Sequence, residues 1–213
     1  MDSKEVFNQV KEKIDAITYT EELKFEPVSD IITIGWESAI PEPPANSSDH
    51  TLDELEYLSK LTKNLTYKEK KLVELVDDDP MNLFSSIPNH TPITKKEWEQ
   101  LWNTTRPVMM NLKYKFNRPR PAQLAPLFGL EINVTETDTH HTPAYPSGHT
   151  FYTAMAAHLL ADKNPELSGE FFRQVGVAGY ARCLQGVHYP SDNDAAMALS
   201  GVVWEDVRLK LRG

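Results

Sequence analysis

Residues 146–211 read PSGHTFYTAMAAHLLADKNPELSGEFFRQVGVAGYARCLQGVHYPSDNDAAMALSGVVWEDVRLKL. Apolar residues here recur at helical spacing, and the segment divides into helical stretches near 148–162, 166–186 and 192–211. The same period dominates upstream. Val6, Val10, Ile14 and Ile17 step by three and four, which predicts an amphipathic helix over 3–18. A loop with Pro27, Pro41, Pro43 and Pro44 follows. Ser and Asp before the stripe Leu52, Leu55, Leu58 and Leu61 supply an N-cap for the next helix. Another begins near Thr66 and runs to the acidic stop Asp77-Asp78-Asp79-Pro80. Residues 94–117 read as helix, with Pro107 expected to kink or break it. Strand-like alternation is confined to Ile31–Ile34 and Glu131–Val134. The fold class is therefore all-α, a compact helical bundle in one domain spanning 1–213. Residues 1–45 form its N-terminal helix and Pro-rich entry, and 94–212 its motif-bearing core.

Charge is unevenly spread over the 213 residues, whose formal net charge is −9. Residues 1–100 carry 21 acidic and 11 basic side chains, and residues 101–213 carry 10 and 11. All seven Arg lie in the second part. Arg grips phosphate and carboxylate with two parallel hydrogen bonds, so anion chemistry is expected there. The acidic balance argues against a nucleic-acid polymer as partner. No run approaches the roughly 20 apolar residues of a membrane span, and the charged opening does not read as a secretory signal. One cysteine, Cys183, allows no internal disulfide and reads as a buried small hydrophobe. A soluble, cytoplasmic protein is the expectation. The five Asn-x-Ser/Thr sequons, beginning with Asn46, then read as turn and cap residues.

Three segments hold polar residues that a helical bundle does not require. They are Lys113-x6-Arg120-Pro121, Pro146-Ser147-Gly148-His149, and Arg182-x5-His188-x3-Asp192. Phosphoryl transfer needs cations and preorganised N–H donors around three charged oxygens. Lys113, Arg120 and Arg182 can supply the cations. Ser147 and Gly148 stand where a helix begins, with free N–H groups aimed at an anion. His188 and His149 are the available nucleophile and proton donor, and Asp192 can hold the Nδ1 of His188. Arg118 and Lys115, beside these ligands, read as a solvated basic face. His50 and His158 read as packed or solvated, and His140 and His141 as part of a long loop after Pro121 rather than a metal pair. His-Asp and His-Glu-x-x-His patterns are missing.

In order and spacing, the three segments resemble the tripartite signature of the type 2 phosphatidic acid phosphatase superfamily. That group includes membrane lipid phosphatases, soluble class A acid phosphatases and vanadium-dependent haloperoxidases. The likeness is strongest over 113–195 and includes Tyr145; Ala181 departs from the Ser common in the family. The resemblance implies a phosphomonoesterase acting on a small phosphorylated substrate. His188 would form a phosphohistidine, oriented by Asp192. His149 would protonate the leaving alkoxide and then activate water. Lys113, Arg120, Ser147, Gly148 and Arg182 would bind the phosphoryl oxygens, with no metal or other cofactor. The alternative is a haloperoxidase holding vanadate on His188, which the short chain counts against. A phosphate-binding module that retains only the fold is a third reading, but such a module would be expected to lose one of the histidines. Soluble relatives often self-associate, which leaves a homo-oligomer open.

Overall fold

Eight α-helices make up the computed structural model, which describes residues 3–136 and 139–208. They are α1 (Ser3–Asp15), α2 (Asp49–Leu61), α3 (Tyr67–Asp78), α4 (Lys95–Phe116), α5 (Pro121–Leu124), α6 (Gly148–Lys163), α7 (Ser168–Leu184) and α8 (Pro190–Val207). Among the described residues there is no strand, and both strand candidates are irregular chain. The stretch expected to reach 211 is described as helix to Val207; residues 209–211 lie outside the described residues. No described helix is long and apolar enough to cross a membrane.

Local chemistry sets the helix starts. Ser48 caps α2, accepting from Thr51 N, while Thr66 and Thr94 form capping boxes with Glu69 and Glu97. Asn46 donates to the carbonyls of Ile14 and Ile17 at the end of α1, a capping use of one sequon. Helix α4 continues through Pro107 without a break. It ends at Asn117, which takes a left-handed conformation with φ 47°.

Helix α6 is the centre of the bundle. Phe151, Met155, Ala156 and Ala157 are fully buried on several of its faces, as an enclosed helix requires. Helices α7 and α8 pack on it, and α4 flanks it. One apolar cluster joins Leu101, Val108 and Leu112 of α4, Phe151 and Met155 of α6, and Leu199 and Val203 of α8. The ends of α4, α7 and the starts of α6 and α8 thereby meet at one place.

The turn from α7 to α8 depends on Gly186, at φ +77°. Its N–H bonds the Cys183 carbonyl and that of Val187 bonds Arg182, closing the helix end. A Cβ at 186 would lie 2.9 Å from Ile132 Cγ2 and 3.1 Å from the Asn133 carbonyl, so glycine is needed for both conformation and space. Pro190 then starts α8 at a position that has no use for its missing N–H.

Candidate active site

His188 lies in the α7–α8 turn and is buried. Its Nδ1 stands 2.9 Å from Asp192 Oδ2, and its Nε2 stands 3.0 Å from Arg120 Nη1. Arg120 has only protons to offer, so Nε2 is the accepting nitrogen and Nδ1 carries the proton given to Asp192. Burial, then the charges of Arg120, Lys113 and Arg182, hold His188 well below the ordinary histidine range. The ring is neutral, in the tautomer that leaves a lone pair on Nε2.

Asp192 occupies the first turn of α8, where a carboxylate favours the helix dipole. Its Oδ2 also accepts from the Tyr189 N–H at 3.0 Å, capping the helix it orients from. Oδ1 accepts from Arg118 Nη1 at 2.6 Å. Burial pushes the Asp192 carboxyl up, and Arg118 opposes that pull.

Arg118 overturns the reading of a solvated basic face. Its side chain is 1% exposed and lies over the Tyr189 ring, 3.8 Å from the centroid. It bridges Asp192 to Glu54 Oε2 at 3.0 Å, and Glu54 in turn accepts from the N–H and hydroxyl of Ser191. Lys115, by contrast, is exposed and donates to the Glu37 carbonyl.

The three cations expected around the phosphoryl group converge here, each already engaged. Lys113 Nζ donates to the Pro143 carbonyl at 2.7 Å, and burial lowers it well below the ordinary lysine range. Arg120 donates to the carbonyls of Thr142 and Val187. Arg182 pairs with Asp77 Oδ1 at 2.8 Å and donates to Thr139 Oγ1 at 3.1 Å. Asp77 belongs to the acidic run that read only as a helix stop, and it was missed for that reason.

Helix α6 opens at this point, with the N–H groups of Gly148 and His149 lacking a carbonyl one turn back. Ser147 does not match the expectation of a free donor. Its N–H bonds the Asp192 carbonyl at 3.0 Å, and its hydroxyl bonds Thr150 Oγ1 at 3.1 Å. That hydroxyl belongs to a buried chain running through Thr150 to Asn193 and the Gly179 carbonyl. Burial and Arg182 push His149 down to about 3, so it is neutral in the ligand-free protein.

A cavity of about 410 Å³ reaches the site, with Lys113, Gly148 and His149 on its surface. Thr139 and Thr142 line it too; Arg120, Arg182 and His188 do not, and lie buried next to those threonines. A second cavity of about 440 Å³, beside Phe84 and His90, contains none of these residues. The other singled-out residues sit away from the cavity. His158 stacks on Trp204, with centroids 5.6 Å apart, and His50 is exposed beside Glu54. His140 and His141 face each other in the loop. Cys183 is buried and its thiol is pushed up to about 12, which suits an inert packing role. Ala181 packs with Val76, Leu83 and Ala178, in a place where a hydroxyl has no use. Among the described residues no group of three or more His, Cys, Asp or Glu is placed to hold a metal ion.

Comparison with known proteins bears on the family and the fold. Residues 104–205 match the model of the PAP2 superfamily. The chain is 26% identical over 180 residues to a non-specific acid phosphatase of Salmonella typhimurium, covering 76% of this chain and 69% of that protein. A non-specific acid phosphatase of Salmonella typhi is 37% identical over 59 residues, which is 28% of this chain and 24% of that one. A holo-type bacterial vanadium-dependent chloroperoxidase superposes with a TM-score of 0.58 at 12% identity. That match covers 82% of this chain and 52% of the other, so the chain spans about half the chloroperoxidase's length and shares its fold.

Proposed function

We propose that this chain, whose residues 104–205 match the model of the PAP2 superfamily, is a phosphomonoesterase working through a phosphohistidine at His188. The observation that carries this reading is the neutral His188 ring held between Asp192 and Arg120. The Nε2 lone pair forms a bond to phosphorus while the bond to the leaving oxygen breaks. His149 gives that oxygen its proton, and Asp192 balances the positive ring that results. Water then loses a proton to His149 and attacks phosphorus; the N–P bond breaks, releasing phosphate and a neutral His188. Lys113, Arg120 and Arg182 neutralise the phosphoryl oxygens throughout, Arg182 exchanging Asp77 for substrate.

Because three cations carry the charge, the reaction is expected to proceed without a metal. Purified protein should hydrolyse p-nitrophenyl phosphate in excess EDTA, and loss of activity on chelation would overturn the metal-free mechanism. The same donors suit any tetrahedral oxyanion, so vanadate should inhibit competitively. Vanadate-dependent oxidation of halide by peroxide would instead favour the haloperoxidase reading.

Proton supply sets the pH dependence. With His149 at about 3 when the pocket is empty, free enzyme brings no proton at pH 5–7. A phosphate monoester loses its second proton near pH ~6. The monoanion therefore carries the missing proton into the site, where the added negative charge raises His149. We expect kcat/KM to be high below pH ~6 and to fall up to about tenfold per unit above it. A flat profile from pH 5 to 8 would contradict this route.

A further inference from the structure

The cavity that ends at His149 has a wall the phosphoryl chemistry does not use. Trp102 of α4 stacks on Tyr152 of α6, with centroids 4.0 Å apart and planes at 29°. Trp98, one turn earlier, stands 6.0 Å from Trp102 and 6.4 Å from Tyr152. All three rings line the cavity, together with Met109 and Met110. Tyr152 lies three residues past His149 on α6, so the proposed proton donor and the aromatic wall are on adjoining surface of one helix. Trp102 keeps 36% of its surface exposed, a large apolar area left toward solvent. Part of the lining is acidic. Asp77, Asp78 and Asp79 belong to it, and among the described residues no cation pairs with Asp78 or Asp79. The one further cation on the lining, Arg106, is paired with Glu26.

We propose that this wall is the leaving-group subsite, and that it selects monoesters of flat aromatic alcohols bearing no negative charge beyond the phosphoryl group. The inference rests on the phosphatase reading and names the substrate class for that site. A ring bound against Trp98 and Trp102 offers π-face contact and burial, with the adaptable thioethers of Met109 and Met110 filling behind it. It holds the ester oxygen toward His149. A second anionic group on the alcohol would meet Asp78 and Asp79, whose uncompensated charge repels it. Nucleoside diphosphates and carboxylated alcohols are thereby disfavoured, while aryl, arylmethyl and neutral heteroaromatic monoesters are accepted.

The test compares benzyl phosphate with cyclohexylmethyl phosphate, whose leaving alcohols are close in acidity and size and differ in the ring face. Wild type should prefer benzyl phosphate by roughly tenfold in kcat/KM, chiefly through KM. The 4-carboxybenzyl ester should be several-fold poorer than benzyl, with the gap narrowing in high salt. Trp102→Ala should bring the benzyl to cyclohexylmethyl ratio toward one, and Trp102→Phe should retain most of it. A thermal melt establishes that each variant is folded. Equal kcat/KM for the two rings in wild type, or a preference that survives Trp102→Ala, would overturn the subsite. Failure to hydrolyse any of the three esters would instead overturn the phosphatase reading.

Discussion

Replacing His188 with Ala is expected to lower turnover of p-nitrophenyl phosphate by at least about 10⁴-fold, with substrate affinity changed little. Nδ1 of the side chain donates to Asp192 and Nε2 accepts from Arg120, so both of its nitrogens are committed by partners that cannot exchange roles. Arg120 cannot accept a proton, so the accepting nitrogen is fixed. Asp192 holds the other through a 2.9 Å bond while itself bonded by Arg118 and the Tyr189 N–H. Truncation at 188 leaves Lys113, Arg120, Arg182 and the start of α6 in place, so the anion still binds. What remains is direct attack by water on a bound ester. Rapid quenching into alkali should trap phosphorylated wild-type protein and none of the variant. A His188→Ala protein retaining more than about 1% of wild-type kcat would remove the nucleophile from this site.

Arg118→Ala is the largest stability loss we expect, about 3–5 kcal/mol. The guanidinium compensates two carboxylates at once, and Asp192 and Glu54 are 0% and 6% exposed. Removing it leaves two negative charges in the interior and opens a void above the Tyr189 ring. Urea denaturation measures the loss, and for a chain of this length the melting temperature should fall by roughly 10 °C. Arg118→Lys should recover only part of it, because one ammonium cannot span both carboxylates. A loss below about 1 kcal/mol for Arg118→Ala would show that the bridge contributes little.

The arginine at 118 also marks where sequence reading stops. Lys113, Arg120, His149, Arg182, His188 and Asp192 could be singled out in the sequence because the groups proposed for the site fall at fixed spacings on helix ends. Those spacings are set by the short-range geometry of a helix or a turn. Helix positions were legible for the same reason, from apolar period and from Ser48, Thr66 and Thr94 as caps. Arg118 and Arg120 stand two apart in the same basic stretch, yet one bonds Asp192 from behind and the other bonds Nε2 of His188. Nothing local separates a solvated arginine from one paired with Glu54, 64 residues away. The pairing of Asp77 with Arg182, 105 residues apart, was hidden likewise. Ser147 failed differently. Its place at a helix start was read correctly, but the carbonyl that takes its N–H belongs to Asp192 on another helix. Pro107 was expected to kink or break α4; the helix runs on through it, with Thr105, Val108 and Met109 buried on either side.

Glu54 carries a consequence for how the molecule opens. It comes from α2, outside the matched segment 104–205 and within the acidic first hundred residues. Were α2 to lift away alone, Arg118 would keep Asp192 but lose the second of its two carboxylates, and the N–H and hydroxyl of Ser191 would lose the acceptor they share. Helix α2 and the start of α8 therefore form one cooperative unit against local unfolding. Amide protons in Leu55–Leu58 and in the first turn of α8 are expected to exchange with solvent at a common opening free energy, which native-state hydrogen exchange measures. Heat that loosens α2 is then expected to disassemble the His188–Asp192 pair in the same event.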